Sequence, residues 1–326
     1  MPKVSVVMPA YNAEAYIGAA IESILNQSFT DFEFLILNDC SADGTEDIIK
    51  SYNDSRIVYL KNEKNMGVAA TLNKGFAVAQ GDYIARMDAD DIAHPRRFEQ
   101  QVAYLDAHPE VAVLGTQVRF FSVEGDGEPF CYSGSCAQLK IDLLFASAIA
   151  HPSVMLRRQM ILDLGGYDSQ FEGLEDYELW CRVSQQAALA VYPEILLRYR
   201  IHPGQVTQQP SERKQRAARN LKQRQLLRLG LPTEGAVAAA YYNYQTKEPK
   251  TYETALAEIR FFEALINANE EKKLYDQKLL KKLMRQLAKS NAVGLAPHQQ
   301  RALCRKTKLL CYPSLLLSRL KQILLR

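Results

Sequence analysis

Short apolar runs alternate with helical patterns through the first 120 residues of the chain. Five of these runs are rich in β-branched residues and predict strands, at residues 3–8, 33–38, 56–60, 82–87 and 111–118. The segments between them carry apolar residues at helical spacing, at residues 14–27, 43–51, 68–79 and 96–108. Strands that alternate with helices over short links predict an α/β, Rossmann-like fold, in which a mostly parallel sheet is sandwiched by helices.

The pattern becomes less regular beyond residue 120 and then almost wholly helical. The predicted elements of this middle part are a Gly-rich link at 125–134, helices at 137–148 and 157–164, short strands at 153–156 and 196–201, and a helix that starts at 175. From residue 211 onward the pattern is helical, with breaks at 230–232, 247–250 and 291–297. We therefore predict an α/β domain at 1–208 and an α-helical C-terminal region at 209–326.

Composition places the chain of 326 residues among ordinary globular proteins. About 47% of the residues are hydrophobic, and 40 Lys plus Arg face 37 Asp plus Glu, which excludes collagen-like, disulfide-scaffold and wholly disordered classes. The six cysteines form no Cys-x-x-Cys pair, so we expect reduced thiols and no structural zinc site. The apolar run at the start is too short for a signal peptide and no run reaches 18 apolar residues, which together predict a cytoplasmic protein.

Positive charge is concentrated at the end of the chain. After Asp276 the last 50 residues hold twelve Lys or Arg and no Asp or Glu, which leaves 28 basic against 37 acidic residues before that point. Leucines recur among these cations, as at Leu279, Leu280 and Leu283. Two interpretations stay open: a basic amphipathic segment peripheral at the inner face of an anionic plasma membrane, or helices packed on protein. Nucleic-acid binding is disfavoured because the cations lack interleaved aromatic residues.

Polar sequences follow the ends of the first four predicted strands. They read Pro9-Ala10-Tyr11-Asn12, then Asp39-Cys40-Ser41-Ala42-Asp43, then Asn65-Met66-Gly67, and then Asp88-Ala89-Asp90-Asp91. Ligands of α/β sheets bind outside the carboxyl ends of the strands, so these sequences predict one binding site. The first of them lacks the Gly-x-Gly-x-x-Gly pattern, which disfavours a standard dehydrogenase or a Walker-type phosphate loop.

The acidic cluster of Asp88, Asp90 and Asp91 is a candidate metal site. Three carboxylates at one strand end repel one another unless a positive charge lies among them, and a divalent cation with oxygen ligands also bridges phosphates. The alternative is that Asp90 or Asp91 caps the following helix while the other carboxylates are solvated. The Asp-x-Asp spacing alone does not decide between the two.

Taken together, these four motifs resemble the inverting family 2 glycosyltransferases of GT-A fold, which include enzymes of bacterial surface polysaccharide synthesis. The resemblance covers about residues 1–205 and continues through Asn73-Lys74-Gly75 and Gly81-Asp82-Tyr83-Ile84-Ala85-Arg86. It implies a UDP-sugar donor and a divalent cofactor, Mn²⁺ or Mg²⁺. Processive synthases carry a Gln-x-x-Arg-Trp motif and membrane helices that are missing here, so transfer of a single sugar is the better interpretation.

The resemblance also assigns roles to individual residues. Pro9, Ala10, Tyr11 and Asn12 would line the uridine pocket, Asp39 would accept the uracil N–H, and Asn65 and Gly67 would lie near the base and ribose. Arg86, Asp88 and Ala89 would complete the nucleotide-sugar site, with Arg86 near the diphosphate or sugar. Asp90 and His202 would ligate the metal, and an imidazole ligand suits Mn²⁺ better than Mg²⁺.

A second acidic motif, at Glu175 and Asp176, supplies the candidate catalytic residues. The resemblance implies that Asp176 is the general base and that Glu175 contacts the acceptor or the donor sugar. An inverting displacement needs such a carboxylate to take the proton of the attacking hydroxyl. Alternatively, both carboxylates merely interact with the positive end of a helix. His151 would line the acceptor pocket or, alternatively, pack in the core or in a loop.

The sequence thus predicts a metal-dependent inverting glycosyltransferase that moves one sugar from a UDP-sugar to a hydroxyl of a glycan or lipid-linked acceptor. Surface or capsule polysaccharide synthesis is the expected context. A non-catalytic nucleotide-sugar-binding subunit is one alternative, since it would not need Asp176. Another metal-dependent nucleotidyl or phosphoryl transferase is the second, although the Gly- and Lys-rich phosphate loop expected of it is missing.

Overall fold

The computed structural model describes residues 1–203, 205, 212–244 and 250–310. The chain divides into two compact units, Met1–Ala218 and Arg219–Arg326. The boundary predicted near residue 208 falls outside the described residues and stays a prediction.

The first unit holds one sheet with helices around it. Its strands are β1 (Val4–Ala10), β2 (Phe32–Asn38), β3 (Ile57–Lys61), β4 (Tyr83–Arg86), β5 (Ile92–Ala93), β6 (Val111–Ser122), β7 (Gly125–Phe130), β8 (Met155–Arg157) and β9 (Ala188–Arg200). Its helices are α1 (Ile17–Leu25), α2 (Thr45–Ser51), α3 (Val68–Val78), α4 (Arg97–Ala107), α5 (Cys136–Asp142), α6 (Arg158–Asp163) and α7 (Glu175–Val183). Helix α8 (Glu212–Leu229) begins in this unit.

The sheet is parallel in its first half and mixed in its second. Its strand order is β3-β2-β1-β4-β8-β6-β9-β5, with β7 paired to β6. Strands β1 to β4 pair in parallel, β8 lies antiparallel between β4 and β6, and β9 runs parallel to β6. The predicted alternation of strands and helices is therefore present, and the antiparallel strand β8 comes from the irregular middle of the sequence.

Burial on both faces explains why the first strands read as continuous apolar runs. Val4, Val6 and Met8 of β1 pack in one core with Ile17 and Ile21 of α1. The register pairs Ala10 with Asn38 and Asn38 with Lys61, so β1, β2 and β3 end at the same edge of the sheet. The polar sequences that follow these strands are thereby gathered at that edge.

Element boundaries differ from the predicted ones where the apolar pattern is weak. Helix α1 spans Ile17–Leu25 within the predicted 14–27, and α5 ends at Asp142 although the helical pattern runs to 148. The sequence predicts a Gly-rich link where the structure has strand β7. All residues of β7 are exposed, so this strand shows no alternation of buried apolar and exposed polar residues that would reveal it in the sequence. The strand predicted at 196–201 is the end of the longer strand β9.

The second unit is helical as far as it is described. Its further helices are α9 (Gly235–Tyr242), α10 (Tyr252–Lys272), α11 (Gln277–Ala292) and α12 (Pro297–Lys306). Helix α10 packs against α9 and α11, and the ring of Tyr241 stacks on that of Phe261 with centroids 4.6 Å apart. Leu280 and Met284 of α11 are fully buried. Their burial favours the packing interpretation for α11, whereas residues 311–326 of the cationic tail lie outside the described ranges.

Within the described ranges, the structure contains no helix with both the length and the apolar character needed to span a membrane.

Candidate active site

Asp39 lies at the centre of the edge formed by β1, β2 and β3. Its carboxylate accepts hydrogen bonds from the Asn62 side-chain amide at 2.8 Å, from the Met66 N–H at 2.8 Å and from the Gly67 N–H at 2.9 Å. Only 4% of Asp39 is exposed. An ionised carboxylate offers about four acceptor positions, so these three bonds leave room for one more donor.

The segment Pro9-Ala10-Tyr11-Asn12 borders Asp39. The Asp39 N–H donates to the Ala10 carbonyl at 2.8 Å. Asn12 has a left-handed backbone with φ 48°, a conformation that Asn adopts more readily than most residues. Its N–H donates to Ser41 Oγ at 3.0 Å and its Oδ1 accepts the Ala42 N–H at 2.9 Å. These bonds fix the loop after β1 to the loop after β2 and leave the Tyr11 side chain half-exposed.

Gly67 marks the start of α3 and the point where a distant loop reaches this edge. Its φ of +83° suits glycine, and a Cβ there would overlap Glu172 Oε1 unless that side chain moved. Asn65 Oδ1 accepts the Gly67 N–H at 3.1 Å. The Glu172 carboxylate is in turn paired with Arg213 Nη1 at 2.7 Å. The loop before α7 therefore contacts the segment that was predicted to lie near the base and ribose.

The acidic cluster follows β4, as the sequence indicated. Ligand atoms of Asp88, Asp90 and Asp91 all lie within 4.8 Å of one another. Asp90 Oδ2 is 2.9 Å from His202 Nε2, and Asp91 Oδ1 accepts the Arg200 N–H of β9 at 2.8 Å. Asp91 Oδ2 is buried and has no hydrogen-bond partner among the described residues.

The electrostatics of this cluster fit a divalent cation. Burial and the charges of Asp88 and Asp90 raise the pKa of Asp91 well above its usual range. Burial also raises the pKa of Asp88, although Arg86 opposes this effect. A cation among these oxygens would relieve their repulsion and give the orphaned Asp91 Oδ2 a partner. The residues present therefore suit Mn²⁺ or Mg²⁺, with His202 as an adjacent nitrogen donor.

Arg86, the last residue of β4, is the buried cation of the site. It is 4% exposed, and its Nη1 forms an ion pair with Asp88 Oδ2. Burial lowers the pKa of its guanidinium, but the charge and hydrogen bond of Asp88, together with the charges of Tyr167 and Asp91, outweigh burial and the net pKa is raised. Arg97 Nη2 donates to the Arg86 carbonyl at 2.8 Å and so holds the end of the strand. Ala89, between the aspartates, is also buried.

Glu175 and Asp176 form the first turn of α7. Asp176 Oδ2 accepts a hydrogen bond from Ser147 Oγ at 3.0 Å. Burial raises the pKa of Asp176, while backbone N–H groups, Ser147 and Arg86 act in the opposite direction. Burial and the adjacent Asp176 charge raise the pKa of Glu175 to about 7. The Asp176 charge also raises the pKa of Asp88, so the two acidic motifs lie within electrostatic reach of each other.

His151 and Tyr167 lie beside these carboxylates. His151 Nε2 is 2.7 Å from the Tyr167 hydroxyl, and its Nδ1 is 4.0 Å from Glu175 Oε1. Burial, with a further effect of Arg86, lowers the pKa of His151 well below its usual value, so the imidazole is neutral. Asn73 of α3 clamps Tyr167 through two 2.8 Å hydrogen bonds to its backbone N–H and carbonyl.

The predicted site residues form two groups. The first comprises Pro9, Ala10, Tyr11, Asn12, Asp39, Asn65 and Gly67, and the second comprises Arg86, Asp88, Ala89, Asp90, Glu175, Asp176 and His202. The rings of His202 and of Tyr16, the residue before α1, lie with centroids 4.8 Å apart and connect the start of α1 to the second group. Sequence reasoning missed the parts played by Asn73, Ser147 and Tyr167. Asn73 did stand in a recognised motif, whereas Ser147 and Tyr167 gave no legible signal.

Comparison with known proteins agrees with this geometry. The sequence profile of glycosyl transferase family 2 matches residues 5–163. An uncharacterized glycosyltransferase of Methanocaldococcus jannaschii is 37% identical over 209 residues, which cover 61% of this chain and 71% of that protein. The O-antigen biosynthesis glycosyltransferase WbnJ of Escherichia coli is 31% identical over 208 residues, which cover 61% of this chain and 80% of that protein.

Solved structures support the same conclusion about the fold. S. aureus TarS 1–349 in complex with UDP-GlcNAc superposes with a TM-score of 0.58 at 19% identity, over 92% of this chain and 90% of that one. The shared fold confirms the expected GT-A architecture followed by a helical C-terminal region. With the family profile and two relatives more than 30% identical over most of their length, the chain belongs to glycosyl transferase family 2 and is a glycosyltransferase.

Proposed function

We propose that this glycosyltransferase is metal-dependent and inverting, and that it moves one sugar from a UDP-sugar to a hydroxyl of a glycan or lipid-linked acceptor in surface polysaccharide synthesis. The observation that carries the proposal is the convergence of the Asp88, Asp90 and Asp91 cluster with Asp176, with the charge of Arg86 acting on both. WbnJ is an O-antigen biosynthesis glycosyltransferase and TarS has been solved in complex with UDP-GlcNAc, and these relatives support the polysaccharide context and the donor class.

The edge around Asp39 is the proposed nucleotide site. The uracil N–H would donate to the remaining acceptor position of the Asp39 carboxylate. Tyr11 offers a half-exposed ring as one wall, beside Pro9, Ala10 and Asn12. Asn65 and Gly67 would border the ribose, and Asp88 would face it from β4. These residues would bind the nucleoside, and no glycine-rich phosphate loop would be needed.

Asp90 and His202 are the proposed metal ligands, with Asp88 and Asp91 beside them. A bound divalent cation would offset the charge of the diphosphate as it leaves. Arg86 would lie behind the aspartates as a fixed positive charge, since it is already paired with Asp88. Its field also favours the ionised form of Asp176.

Asp176 is the proposed general base. The acceptor hydroxyl would lose its proton to this carboxylate while its oxygen attacks the anomeric carbon, and the bond to the diphosphate breaks on the opposite face of the sugar. The Ser147 hydrogen bond fixes the orientation of the carboxylate at the start of α7. Glu175, with its pKa of about 7, can donate a hydrogen bond to a sugar hydroxyl when it is protonated.

The Asp176→Asn variant tests the assignment of the base. With UDP-GlcNAc, Mn²⁺ and a panel of sugar acceptors, UDP release should fall by about a hundredfold or more, because a general base contributes about 10²–10⁴-fold. The affinity for UDP should stay within about threefold, since the nucleotide site is untouched. Asp163→Asn, at an exposed position of α6, is the matched control and should behave like the wild type.

Two results would count against the proposal. A near-normal rate in Asp176→Asn would show that another group takes the proton. Tight binding of UDP without UDP release from any UDP-sugar by the wild type would favour the non-catalytic binding subunit. The cytoplasmic location and the attachment of the tail to an anionic membrane surface stay predictions.

A further inference from the structure

Four aromatic rings form a continuous row along the second half of the sheet. We call Tyr199, Phe120, Phe130 and Tyr132 the aromatic ladder. Ring centroids are 5.5 Å apart between Tyr199 and Phe120, 5.9 Å between Phe120 and Phe130, and 4.8 Å between Phe130 and Tyr132. The rings meet edge-on or tilted, which are favourable arrangements for aromatic pairs.

The backbone fixes the ladder in place. Phe120 and Tyr199 are direct partners in the register of β6 and β9, and Phe130 is the last residue of β7, which pairs with β6. Gln117 of β6 clamps Tyr132, since its Oε1 accepts the Tyr132 N–H at 2.6 Å and its Nε2 donates to the Tyr132 carbonyl at 3.0 Å. A ligand would thus meet preorganised rings and would not have to order them.

The Tyr199 end of the ladder adjoins the candidate active site through the backbone. Tyr199 precedes Arg200, whose N–H donates to Asp91 Oδ1 and whose Nε donates to the Asp90 carbonyl at 2.6 Å. At the other end, burial and the charge of Asp176 raise the pKa of Tyr132 to about 12. Between the two ends, Phe130 is 47% exposed and presents its ring to a ligand.

We propose that the aromatic ladder is the binding site for the acceptor glycan, with a pyranose ring of the acceptor stacked on the exposed ring of Phe130, beside Tyr132. Pyranose rings have apolar C–H faces that aromatic rings bury well, while their hydroxyls stay at the rim. This inference rests on the proposed function, because it names where the acceptor of that reaction binds.

The charges around the ladder favour a glycan over a lipid surface. Glu124, Asp126 and Glu128, on the hairpin that carries Phe130, are all exposed. Asp126 pairs with Arg198 of β9. Acidic side chains beside the exposed ring would be repelled by an anionic membrane, whereas they accept hydrogen bonds from sugar hydroxyls. The chemistry of the patch therefore fits a neutral, hydroxyl-rich ligand.

Direct binding of defined oligosaccharides tests this proposal. Chitohexaose, cellohexaose and mannohexaose would be titrated into the full chain in the presence of UDP and Mn²⁺ and followed by saturation-transfer NMR. We expect at least one to bind. Phe130→Ala should weaken that binding by about tenfold or more, as for an aromatic contact at the centre of an interface, whereas Phe130→Trp should retain it.

Two further variants serve as controls for the oligosaccharide-binding measurement. Val123→Ala removes an almost fully exposed apolar side chain next to the same hairpin and should leave binding unchanged. Tyr132→Phe keeps the ring and removes the hydroxyl, so it should retain stacking. UDP affinity, measured in parallel on every variant, reports the donor site and the fold.

The outcomes separate this inference from the proposed function. If UDP binds but none of the hexasaccharides does, or if Phe130→Ala binds them as well as the wild type, the ladder is not the acceptor site. Binding to phosphatidylglycerol vesicles that depends on Phe130, without oligosaccharide binding, would also overturn the inference. Failure of UDP to bind the wild type would instead count against the proposed function.

Discussion

At the scale of single residues, a buried arginine sets the charge balance of the candidate active site. Burial alone favours the neutral form of every acid near it. Arg86 opposes that effect at Asp88, Glu175 and Asp176, and it disfavours the charged form of His151. Near neutral pH the site therefore combines a neutral imidazole at His151 with a carboxyl group at Glu175 whose pKa is raised to about 7.

Glu175 should make stability depend on pH. Its pKa rises from 4.5 to about 7 on folding, so the folded chain binds the proton more tightly than the unfolded chain does. Its contribution to stability is present below pH 4.5 and is lost as the pH rises to about 7. A shift of this size corresponds to about 3 kcal/mol. Urea unfolding at several pH values should show that Glu175→Gln gains stability relative to the wild type across this interval.

The control for this prediction is Glu172→Gln, at a half-buried acid of the preceding loop. Its stability difference from the wild type should not follow the same interval. A difference between Glu175→Gln and the wild type that stays constant from pH 4.5 to 8 would contradict the assignment.

At the scale of elements, the strand ends were predictable and the second half of the sheet was not. Residues such as Val4, Val6 and Met8 form an uninterrupted buried strand, which the sequence displays directly. The polar residues after it must then lie at the sheet edge. Strand β7 is wholly exposed and gives no such signal. The contacts of Ser147 with Asp176 and of Asn73 with Tyr167 join residues 29 and 94 positions apart, which no local pattern encodes.

The start of α3 provides a test at this scale. Gly67→Ala should lower the free energy of unfolding by about 1–3 kcal/mol, because its backbone conformation is strained for other residues and the new Cβ would clash with Glu172. Gly165→Ala is the matched control, with φ +82° and open space around the added Cβ, and should cost less. Thermal or urea unfolding measures both.

A double-mutant cycle separates the steric effect of Glu172 on a Cβ at position 67 from the backbone strain at that position. Adding Glu172→Ala should recover part of the loss caused by Gly67→Ala and nothing of the loss caused by Gly165→Ala. Strict additivity of Gly67→Ala and Glu172→Ala would show that the loop before α7 does not press on the start of α3.

At the scale of the whole molecule, the chain carries an excess of acidic residues up to Asp276 and only basic charged side chains, twelve Lys or Arg, after it. The sequence showed this asymmetry, but it left open whether the apolar residues among the last cations face a membrane or a protein core. Leu280, Met284 and Leu303 are fully buried in the second unit, so α11 and α12 use them for packing. We propose residues 311–326, which include Arg319, Lys321 and Arg326, as the first segment of the tail to test for membrane contact.

Removal of residues 311–326 tests that contact. The full chain should sediment with phosphatidylglycerol vesicles and the shortened chain should not, since each basic residue near an anionic surface contributes about 1 kcal/mol. Phosphatidylcholine vesicles are the control and should bind neither. Equal sedimentation of the two chains would place the contact elsewhere, and indifference of the full chain to anionic lipid would leave protein packing as the function of the tail.

The central claim is that carboxylates after β4 hold a divalent cation that is needed to bind a UDP-sugar. Its most direct test is calorimetric titration of UDP into the metal-stripped full chain, with and without Mn²⁺, for the wild type, Asp90→Ala and the exposed control Asp163→Asn. We predict binding that requires Mn²⁺ in the wild type and the control and is lost in Asp90→Ala. UDP binding of equal strength without metal, or undiminished in Asp90→Ala, would contradict the claim.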